Sequence, residues 1–217
     1  MRMYNPEWEA IKDFEHAAAL ADVQFELSAG EIPADHGVGL FEQLVKYLPW
    51  LREATGAGVH PVHGAPTGRN DNLVINRRVK LTLRLPLDRL ADAEALVGAV
   101  LEAGAGPIKV GPLKKRPLVP YATLYSHFVV MDSADEARFM DEARAELEAM
   151  GVRGGLIPGK RRQMRMGDGE AVGYSLMLHD LSLQDSILVQ ERGLGRYRVY
   201  GCGIFIPHKS IKEVVID

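Results

Sequence analysis

The chain has 217 residues, an apolar share of 47% and a formal net charge of −3. This length suits one large domain or two small ones, and the composition supplies enough apolar side chains for a packed core. A single cysteine, Cys202, excludes an internal disulfide or a thiolate metal cluster and fits a reducing compartment.

The N-terminal segment carries charged residues through its apolar positions, unlike a signal peptide. No apolar run approaches the length needed to span a membrane. We therefore expect a soluble, cytoplasmic protein with no membrane partner.

Charge is distributed unevenly along the chain. Residues 1–31 hold seven acidic and two basic side chains, whereas residues 67–116 and residues 153–212 each hold ten basic and five acidic ones. A basic surface on a nearly neutral protein is typical of nucleic-acid binding. Scattered, solvated charge is the alternative explanation.

The first half of the chain predicts the element order βαββαβ, which is the ferredoxin-like unit. An amphipathic helix from Pro6 to about Leu20 precedes this unit as an extension. The predicted elements are strand Val23–Leu27, helix Leu40–Leu48, strands Val59–Val62 and Leu73–Leu85, helix Leu90–Leu101 and strand Ile108–Val110. The segment Gly111–Pro117 predicts a junction.

The second half repeats this order. Its predicted elements are strand Val119–Val130, helix Asp135–Met150, strands Leu156–Met166 and Val172–Leu178, helix Leu181–Arg192 and strand Tyr197–Ile206. The fold class predicted is α+β, built from tandem ferredoxin-like (RRM-like) units with a C-terminal glycine-rich loop. The domains predicted are an N-terminal helical extension over 1–20, a first ferredoxin-like domain over 21–112 and a second over 117–217.

A glycine cluster with a basic, aromatic centre follows the last predicted helix. It reads Gly193-Leu194-Gly195-Arg196-Tyr197-Arg198-Val199-Tyr200-Gly201-Cys202-Gly203. Glycine allows backbone N–H groups to approach a phosphate, while arginine supplies charge and tyrosine supplies faces for base stacking. A Rossmann fingerprint and a P-loop are both excluded, because here a helix precedes the glycines and a strand follows them.

This cluster, continued by Ile204-Phe205-Ile206-Pro207-His208-Lys209, resembles the glycine-rich loop of CRISPR repeat-cleaving endoribonucleases of the RAMP superfamily, and most of all their MYXAN subtype. Three further segments, Ile32–Gly37, Leu48–Leu51 and Gly58–Pro61, resemble that subtype's N-terminal landmarks in the same order. The resemblance spans about 190 residues, from Asp22 to Ile211, and implies the same tandem ferredoxin-like fold.

The resemblance implies a partner, CRISPR repeat RNA, both as precursor and as mature crRNA, and other CRISPR effector complex subunits as further partners. Phosphate contacts are expected from a basic hairpin and from the glycine-rich loop, since A-form RNA is bound through backbone charge and shape. The predicted RNA-binding residues are Lys160, Arg161, Arg162, Arg165, Gly193, Gly195, Arg196, Arg198, Gly201, Gly203, His208 and Lys209.

Histidine suits the proton transfers of RNA cleavage, because its pKa of about 6.5 allows exchange near neutral pH. The first candidate is His36, between Asp35 and Gly37, and the resemblance places a catalytic histidine in this region. Lys46 and Tyr47 follow, where family members keep a lysine or tyrosine helper.

His60 and His63 form a rival pair, with His60 a candidate second active-site or RNA-contacting residue. Their spacing also fits metal ligands, but no third or fourth ligand lies nearby in the sequence, so no metal and no cofactor are predicted. The other histidines in strand or helix contexts, His16, His127 and His179, are interpreted as structural.

The sequence thus predicts a metal-independent CRISPR precursor RNA endoribonuclease that leaves a 2′,3′-cyclic phosphate and a 5′-OH. One alternative is a non-catalytic RNA-binding subunit of an effector complex. Another is a ferredoxin-like small-molecule-binding module, which would leave both basic regions unexplained. Oligomeric state stays open.

Overall fold

The structure, a computed structural model, describes residues 18–68 and 70–208. The strands of the first half are β1 (Leu20–Leu27), β2 (Gly30–Pro33), β3 (Gly58–Val59), β4 (Ala65–Pro66), β5 (Asn72–Ile75), β6 (Lys80–Pro86), β7 (Val100–Glu102) and β8 (Pro107–Pro117). Helix α1 (Gly37–Leu44) and a 3-10 turn over Pro49–Arg52 connect β2 to β3. Residues 1–17 of the helical extension predicted over 1–20 lie outside the described residues.

Five strands form an antiparallel sheet in the order β3-β6-β1-β8-β7. Among them, β1, β3, β6 and β8 follow the strand order of a ferredoxin-like unit, second–third–first–fourth. Strand β1 alternates as a half-buried strand should, with Val23 and Phe25 fully buried and Gln24 on the opposite face. Helix α1 packs Leu40 and Leu44 against the same core.

The second half has the same arrangement. Strands β9 (Leu124–Val129), β10 (Gly155–Met166), β11 (Gly169–His179) and β12 (Ile206–Pro207) form an antiparallel sheet in the order β10-β11-β9-β12. Helix α2 (Glu136–Ala149) begins at Asp135, whose side chain accepts a hydrogen bond from the Arg138 N–H. Helix α3 (Leu183–Arg192) begins at Ser182 in the same way. The predicted tandem ferredoxin-like fold is confirmed.

Each half has its own apolar core, and a buried arginine joins the two. Arg84 on β6 is fully buried and bonds both oxygens of Asp22 on β1, at 2.7 and 3.0 Å. Its Nη1 donates to the carbonyl oxygens of Gln190 at 2.9 Å and Phe205 at 2.8 Å, both in the second half. The face of β6 that carries Arg84 is therefore partly an interface between the halves.

Two predicted elements of the first half are wrong, each for its own local reason. The strand predicted over Leu73–Leu85 is split at Asn76, whose side chain accepts from the Arg78 N–H and whose carbonyl accepts from the Val79 N–H. The helix predicted over Leu90–Leu101 is replaced by 3-10 turns and β7, because the chain pairs with β8 instead.

Three other predicted elements have different bounds. The predicted junction Gly111–Pro117 is the second part of β8 and pairs with β1. The strand predicted over Val59–Val62 stops at Val59, since Pro61 cannot donate to a ladder. The last strand is only Ile206–Pro207, because a 3-10 turn replaces its predicted start.

Within the described ranges, no helix is both long enough and apolar enough to cross a membrane.

Candidate active site

The two halves enclose a cleft of about 540 Å³. Its first-half wall is formed by the segment that enters α1 and by residues 61–64, and its second-half wall by β9 and β10. A neighbouring cleft of about 430 Å³ shares Pro61, His63 and His127 with it, so the two clefts adjoin at these residues. The second cleft runs between the polar face of β1 and β6 and the second half.

His36 lies at the entry of α1 on the floor of the cleft, where its side chain is largely inaccessible. Its residue exposure is 5%, its Nδ1 lies 2.8 Å from the Pro33 carbonyl oxygen, and its Nε2 accepts from the Val62 N–H at 2.9 Å. Burial lowers the pKa of His36 against the opposing effect of the Pro33 carbonyl. The neutral imidazole therefore predominates near neutral pH.

The rings of His63 and His127 lie against each other in the same cleft, although His63 belongs to the first half and His127 to the second. The centroids are 4.8 Å apart, with a 69° angle between the ring planes. Burial, followed by the charges of Arg162, His63 and His36, lowers the pKa of His127 to about 4. Burial, the His36 charge and the Arg162 charge lower the pKa of His63.

The sequence analysis interpreted His127 as structural, and it lines the cleft instead. Alternation along β9 shows that His127 and Tyr125 share a face, but it does not show what that face meets. The missing information is how the two halves pack, because that packing brings β9 beside residues 61–64. His63, named only in the rival pair, reaches the cleft through the same topology.

The predicted basic hairpin is β10–β11, and it contributes two arginines to the cleft. Arg161 and Arg162 line it, and the buried Nε of Arg162 has no hydrogen-bond partner among the described residues. Arg165 lies farther along, where its N–H donates to the Asp35 carboxylate at 3.0 Å. Lys160 is exposed and lies outside the cleft lining.

His60 faces the neighbouring cleft rather than the one that holds His36. Its Nε2 lies 3.3 Å from an oxygen of Asp22, the carboxylate that also pairs with Arg84. Burial lowers the pKa of His60, opposed by the Asp22 carboxylate. Burial works to raise the pKa of Asp22, but the adjacent His60 imidazole and the hydrogen-bonded Arg84 guanidinium hold it well below its usual range. This geometry suits an interface network between the halves.

Lys46 and Tyr47 lie beyond the end of α1, outside the cleft lining. The Lys46 ammonium donates to the Gln43 side chain at 2.9 Å, and the Tyr47 hydroxyl is 3.4 Å from the Val100 carbonyl oxygen. His36 precedes the first residue of α1, whereas Lys46 and Tyr47 follow its last residue, so the helix lies between them and His36. Their predicted role as catalytic helpers stays a prediction that this geometry does not favour.

The glycine-rich segment packs on the protein with its backbone largely satisfied. Gly195 and Gly201 have positive φ, of +70° and +98°. The Gly195 N–H donates to Glu146, and the Gly201 N–H to the Arg198 carbonyl. Gly193 and Gly203 are buried where the two ends of the segment pack against each other. Gly201 lines the cleft. RNA contact by these N–H groups stays a prediction.

The charged and aromatic residues of this segment have different surroundings. Arg198 donates to the Gln190 carbonyl at 2.9 Å, and burial lowers its pKa to about 9. Arg196 is exposed and pairs with Asp132. His208 is exposed beside the Tyr125 ring, with centroids 5.7 Å apart, whereas Lys209 falls outside the described residues.

Among residues 18–68 and 70–208, no three His, Cys, Asp or Glu side chains are grouped so that they could hold a metal ion.

Comparison with known proteins gives three findings. Residues 21–210 match the family model described as Cas6 Crispr. The CRISPR-associated endonuclease Cas6 of Myxococcus xanthus strain DK1622 is 36% identical over 187 residues, which are 86% of this chain and 80% of that protein.

Solved structures share the fold at low sequence identity. One described as CRISPR associated protein Cas6 has a TM-score of 0.66 at 12% identity and covers 88% of this chain and 100% of its own. A Cas6-related protein from Pyrococcus furiosus has a TM-score of 0.65 at 15% identity and covers 86% and 98%. A structure described as a RAMP protein binding different RNA substrates has a TM-score of 0.65 at 14% identity and covers 85% and 98%.

Proposed function

Because the chain belongs to the Cas6 family, we propose that it is an endoribonuclease that cuts CRISPR precursor RNA once within each repeat. One observation carries this proposal. The cleft between the halves brings together the imidazoles of His36, His63 and His127 and the guanidinium of Arg162. These are the groups that RNA cleavage by proton transfer requires.

The reaction proposed is attack of the ribose 2′-oxygen on the adjacent phosphorus, in line with the departing 5′-oxygen. An imidazole takes the proton from the 2′-OH, and a second imidazole protonates the 5′-oxygen as it leaves. The Arg162 guanidinium stabilises the charge that develops on the phosphate oxygens. The products are a 2′,3′-cyclic phosphate and a 5′-OH end.

We further propose that this chemistry proceeds without a metal ion. Proton transfer by imidazoles and charge stabilisation by a guanidinium together supply every role that the reaction needs. The lone, buried Cys202, whose pKa burial raises to about 12, contributes no nucleophile and fits a cytoplasmic location.

The RNA is proposed to approach along the β10–β11 hairpin into the cleft. Lys160 and Arg161 are exposed on β10, and Arg162, the next residue, places a further positive charge in the cleft. Phosphate contacts of this kind hold the RNA whatever its sequence. The mature crRNA, and a complex with other CRISPR effector subunits, would use the same surface.

The decisive experiment compares two RNAs. The first is a labelled RNA with the sequence of the CRISPR repeat that lies beside the gene. The second has the same sequence with a 2′-deoxy substitution at the nucleotide before the mapped cut. Both are incubated with the protein in excess chelator. We expect a single cut in the first RNA, with cyclic phosphate and 5′-OH ends, and binding without cleavage for the second.

Three results would contradict the proposal. Cleavage of the deoxy RNA would mean that water, not the 2′-oxygen, is the nucleophile. Dependence on added Mg²⁺ or Zn²⁺ would reject the metal-free reaction. Tight binding of the unsubstituted RNA without any cut would favour the non-catalytic RNA-binding subunit instead.

A further inference from the structure

Part of the glycine-rich segment belongs to the second half but packs on the first. It comprises residues 197–201, contains a 3-10 turn and is called the Tyr200 turn below. Its backbone closes on itself, since the N–H groups of Tyr200 and Cys202 both donate to the Tyr197 carbonyl oxygen, at 2.9 and 3.2 Å. The Tyr200 turn is therefore a compact, internally bonded unit.

The Tyr200 turn lies directly on the start of α1, one residue after His36. A Cβ added at Gly37 would collide with the Tyr200 carbonyl oxygen, so glycine leaves room for the turn there. The Tyr200 ring packs at right angles to the Phe41 ring, one helical turn along α1, with centroids 5.0 Å apart. The turn thus contacts α1 through its backbone at one point and through an aromatic ring at the next.

The same turn also lies against the first-half chain on the other side of His36. At Gly201, the atoms nearest to an added Cβ are the Val59 carbonyl oxygen and Pro61 Cδ, both at 3.5 Å. The His36 ring is held between these two parts of the first half, because it follows from the start of α1 and its Nε2 accepts from the Val62 N–H at 2.9 Å. The Tyr200 turn therefore rests on both segments that hold this ring.

Arg198 lies between the halves at the base of the turn. Its Nη2 donates to the Gln190 carbonyl oxygen at 2.9 Å, while its Nε and Nη1 are buried and have no hydrogen-bond partner in the described part of the chain. The side chain crosses Gly58 on β3, where its Cγ and Nε would each be 3.1 Å from an added Cβ. The guanidinium is thus directed into the protein, whereas that of Arg196 is exposed.

From these contacts we propose that the Tyr200 turn is a positioning element for His36, with Tyr200 resting on α1 and Arg198 fastening the turn between the halves. The proposal rests on the function proposed above, in which imidazoles of the cleft transfer protons. The sequence predicts base stacking by the tyrosines of this segment and RNA binding by Arg198, and here both side chains serve the geometry of the protein itself. A displacement of about 1 Å can slow a reaction about 10²-fold, so a turn that holds the His36 ring contributes to the rate.

The first test separates positioning from base stacking at Tyr200. Single-turnover cleavage and RNA affinity are measured for the unaltered protein, Tyr200→Ala and Tyr200→Phe, which keeps the ring on Phe41. We expect Tyr200→Ala to cut about 10- to 100-fold more slowly, with RNA affinity and circular dichroism nearly unchanged, and Tyr200→Phe to keep most of the rate. A stacking role would instead weaken RNA binding by Tyr200→Ala about tenfold or more. If Tyr200→Ala misfolds, Tyr200→Leu replaces it.

Gly37→Ala and Gly39→Ala form a matched pair on α1. At Gly39, the nearest heavy atom outside the helix to an added Cβ is the Ala103 carbonyl oxygen at 3.7 Å, which is an ordinary contact. Gly37→Ala should displace the Tyr200 turn and slow cleavage about 10- to 100-fold, whereas Gly39→Ala should stay within a few-fold of the unaltered rate. Because Gly37→Ala and Tyr200→Ala break one contact, their combination should lose little more than the slower single variant.

A readout without RNA distinguishes a displaced His36 from blocked RNA access. The His36 ring is observed by histidine side-chain NMR in the RNA-free protein. In Tyr200→Ala and Gly37→Ala its signals should move, and its pKa, which burial lowers, should rise toward the ordinary histidine value as water reaches the loosened ring. Gly39→Ala should leave both unchanged.

Arg198→Met tests the anchor. It keeps the aliphatic stem over Gly58 and removes the charge, while the Gln190 carbonyl oxygen keeps its bond from Arg84. Cleavage should slow, but the slope of log affinity against log salt concentration should not change. Arg161→Met, at an exposed arginine of β10, should lower that slope by about one unit. If Arg198→Met misfolds, Arg198→Gln replaces it.

The positioning proposal is overturned if Tyr200→Ala and Gly37→Ala both cut within a few-fold of the unaltered protein, if their His36 signals match it, or if Tyr200→Ala loses affinity rather than rate. A salt slope that falls as much in Arg198→Met as in Arg161→Met would reject Arg198 as the anchor. In each case the unaltered protein still cuts the RNA, and the proposed function stands. If the unaltered protein does not cut, the proposed function fails, and a positioning role in its reaction fails with it.

Discussion

At the scale of single residues, the protonation state of His127 depends on one neighbouring cation. Burial comes first among the causes of its lowered pKa of about 4, and the charge of Arg162 comes second. A cation disfavours the imidazolium, so its removal in Arg162→Gln should raise the pKa of His127. Histidine side-chain NMR titration of the RNA-free protein measures this shift, with Lys160→Gln as a basic-residue control outside the cleft. A His127 pKa that is the same in both variants would show that the Arg162 charge does not contribute to it.

Residue-level reasoning from the sequence could find only those site residues that a local motif marks. The sequence singles out His36 because Asp35 and Gly37 flank it in a segment that resembles a known landmark. His127 was missed because a histidine inside an alternating strand has no local signature. Its position in the cleft depends on how the second half packs against the first, and that is a long-range property.

At the scale of elements, the glycine-rich segment is held by internal contacts that a side chain would break. Gly195 has φ of +70°, and a Cβ there would collide with the Val130 carbonyl oxygen. Gly98 offers a matched control, since its φ is +86° and no heavy atom lies within 4 Å of an added Cβ.

We therefore expect Gly98→Ala to lower the free energy of unfolding by about 1–2 kcal/mol, the cost of left-handed backbone for an L-residue. Gly195→Ala should lower it by clearly more, because it adds the collision. Urea denaturation of both variants measures the difference. Equal losses would mean that the segment yields to accommodate a side chain. If Gly195→Ala stays folded, its RNA affinity also tests the predicted contact with the RNA backbone.

The elements that the sequence predicted correctly are those with capping residues or clear periodicity. Helices α2 and α3 begin one and two residues after their predicted starts, because the side chains of Asp135 and Ser182 each cap the helix by accepting from a backbone N–H three residues on. The predicted helix Leu90–Leu101 failed because pairing with β8 outweighed its helical spacing. Local propensity is a weak guide where a sheet edge is available nearby.

At the scale of the whole molecule, the site exists only because the two halves are fixed against each other. His36 and His63 come from the first half, and His127 and Arg162 come from the second. A small rotation between the halves would separate the rings of His63 and His127. The contacts that set the relative position of the halves are therefore as important to function as the cleft residues.

Arg84 is the contact that we expect to matter most for this arrangement. Its guanidinium is fully buried, pairs with Asp22, and donates to the carbonyl oxygens of Gln190 and Phe205 across the interface. Arg84→Ala would leave a largely buried carboxylate and two carbonyl oxygens without this partner. Breaking one side of a buried pair costs about 3–5 kcal/mol, so the free energy of unfolding should fall by about that amount.

Guanidinium denaturation, followed by circular dichroism, measures the effect of Arg84→Ala. Lys115→Ala is the control, because Lys115 is an exposed cation on β8, which pairs with β1 in the same sheet, and its loss should change stability by less than about 0.5 kcal/mol. Asp22→Asn combined with Arg84→Ala should be less destabilised than the sum of the two single variants, since the charge left unpaired is also removed. A loss for Arg84→Ala no larger than that for Lys115→Ala would mean that the other contacts between the halves hold them in place, and that the cleft needs no buried ion pair to keep its histidines together.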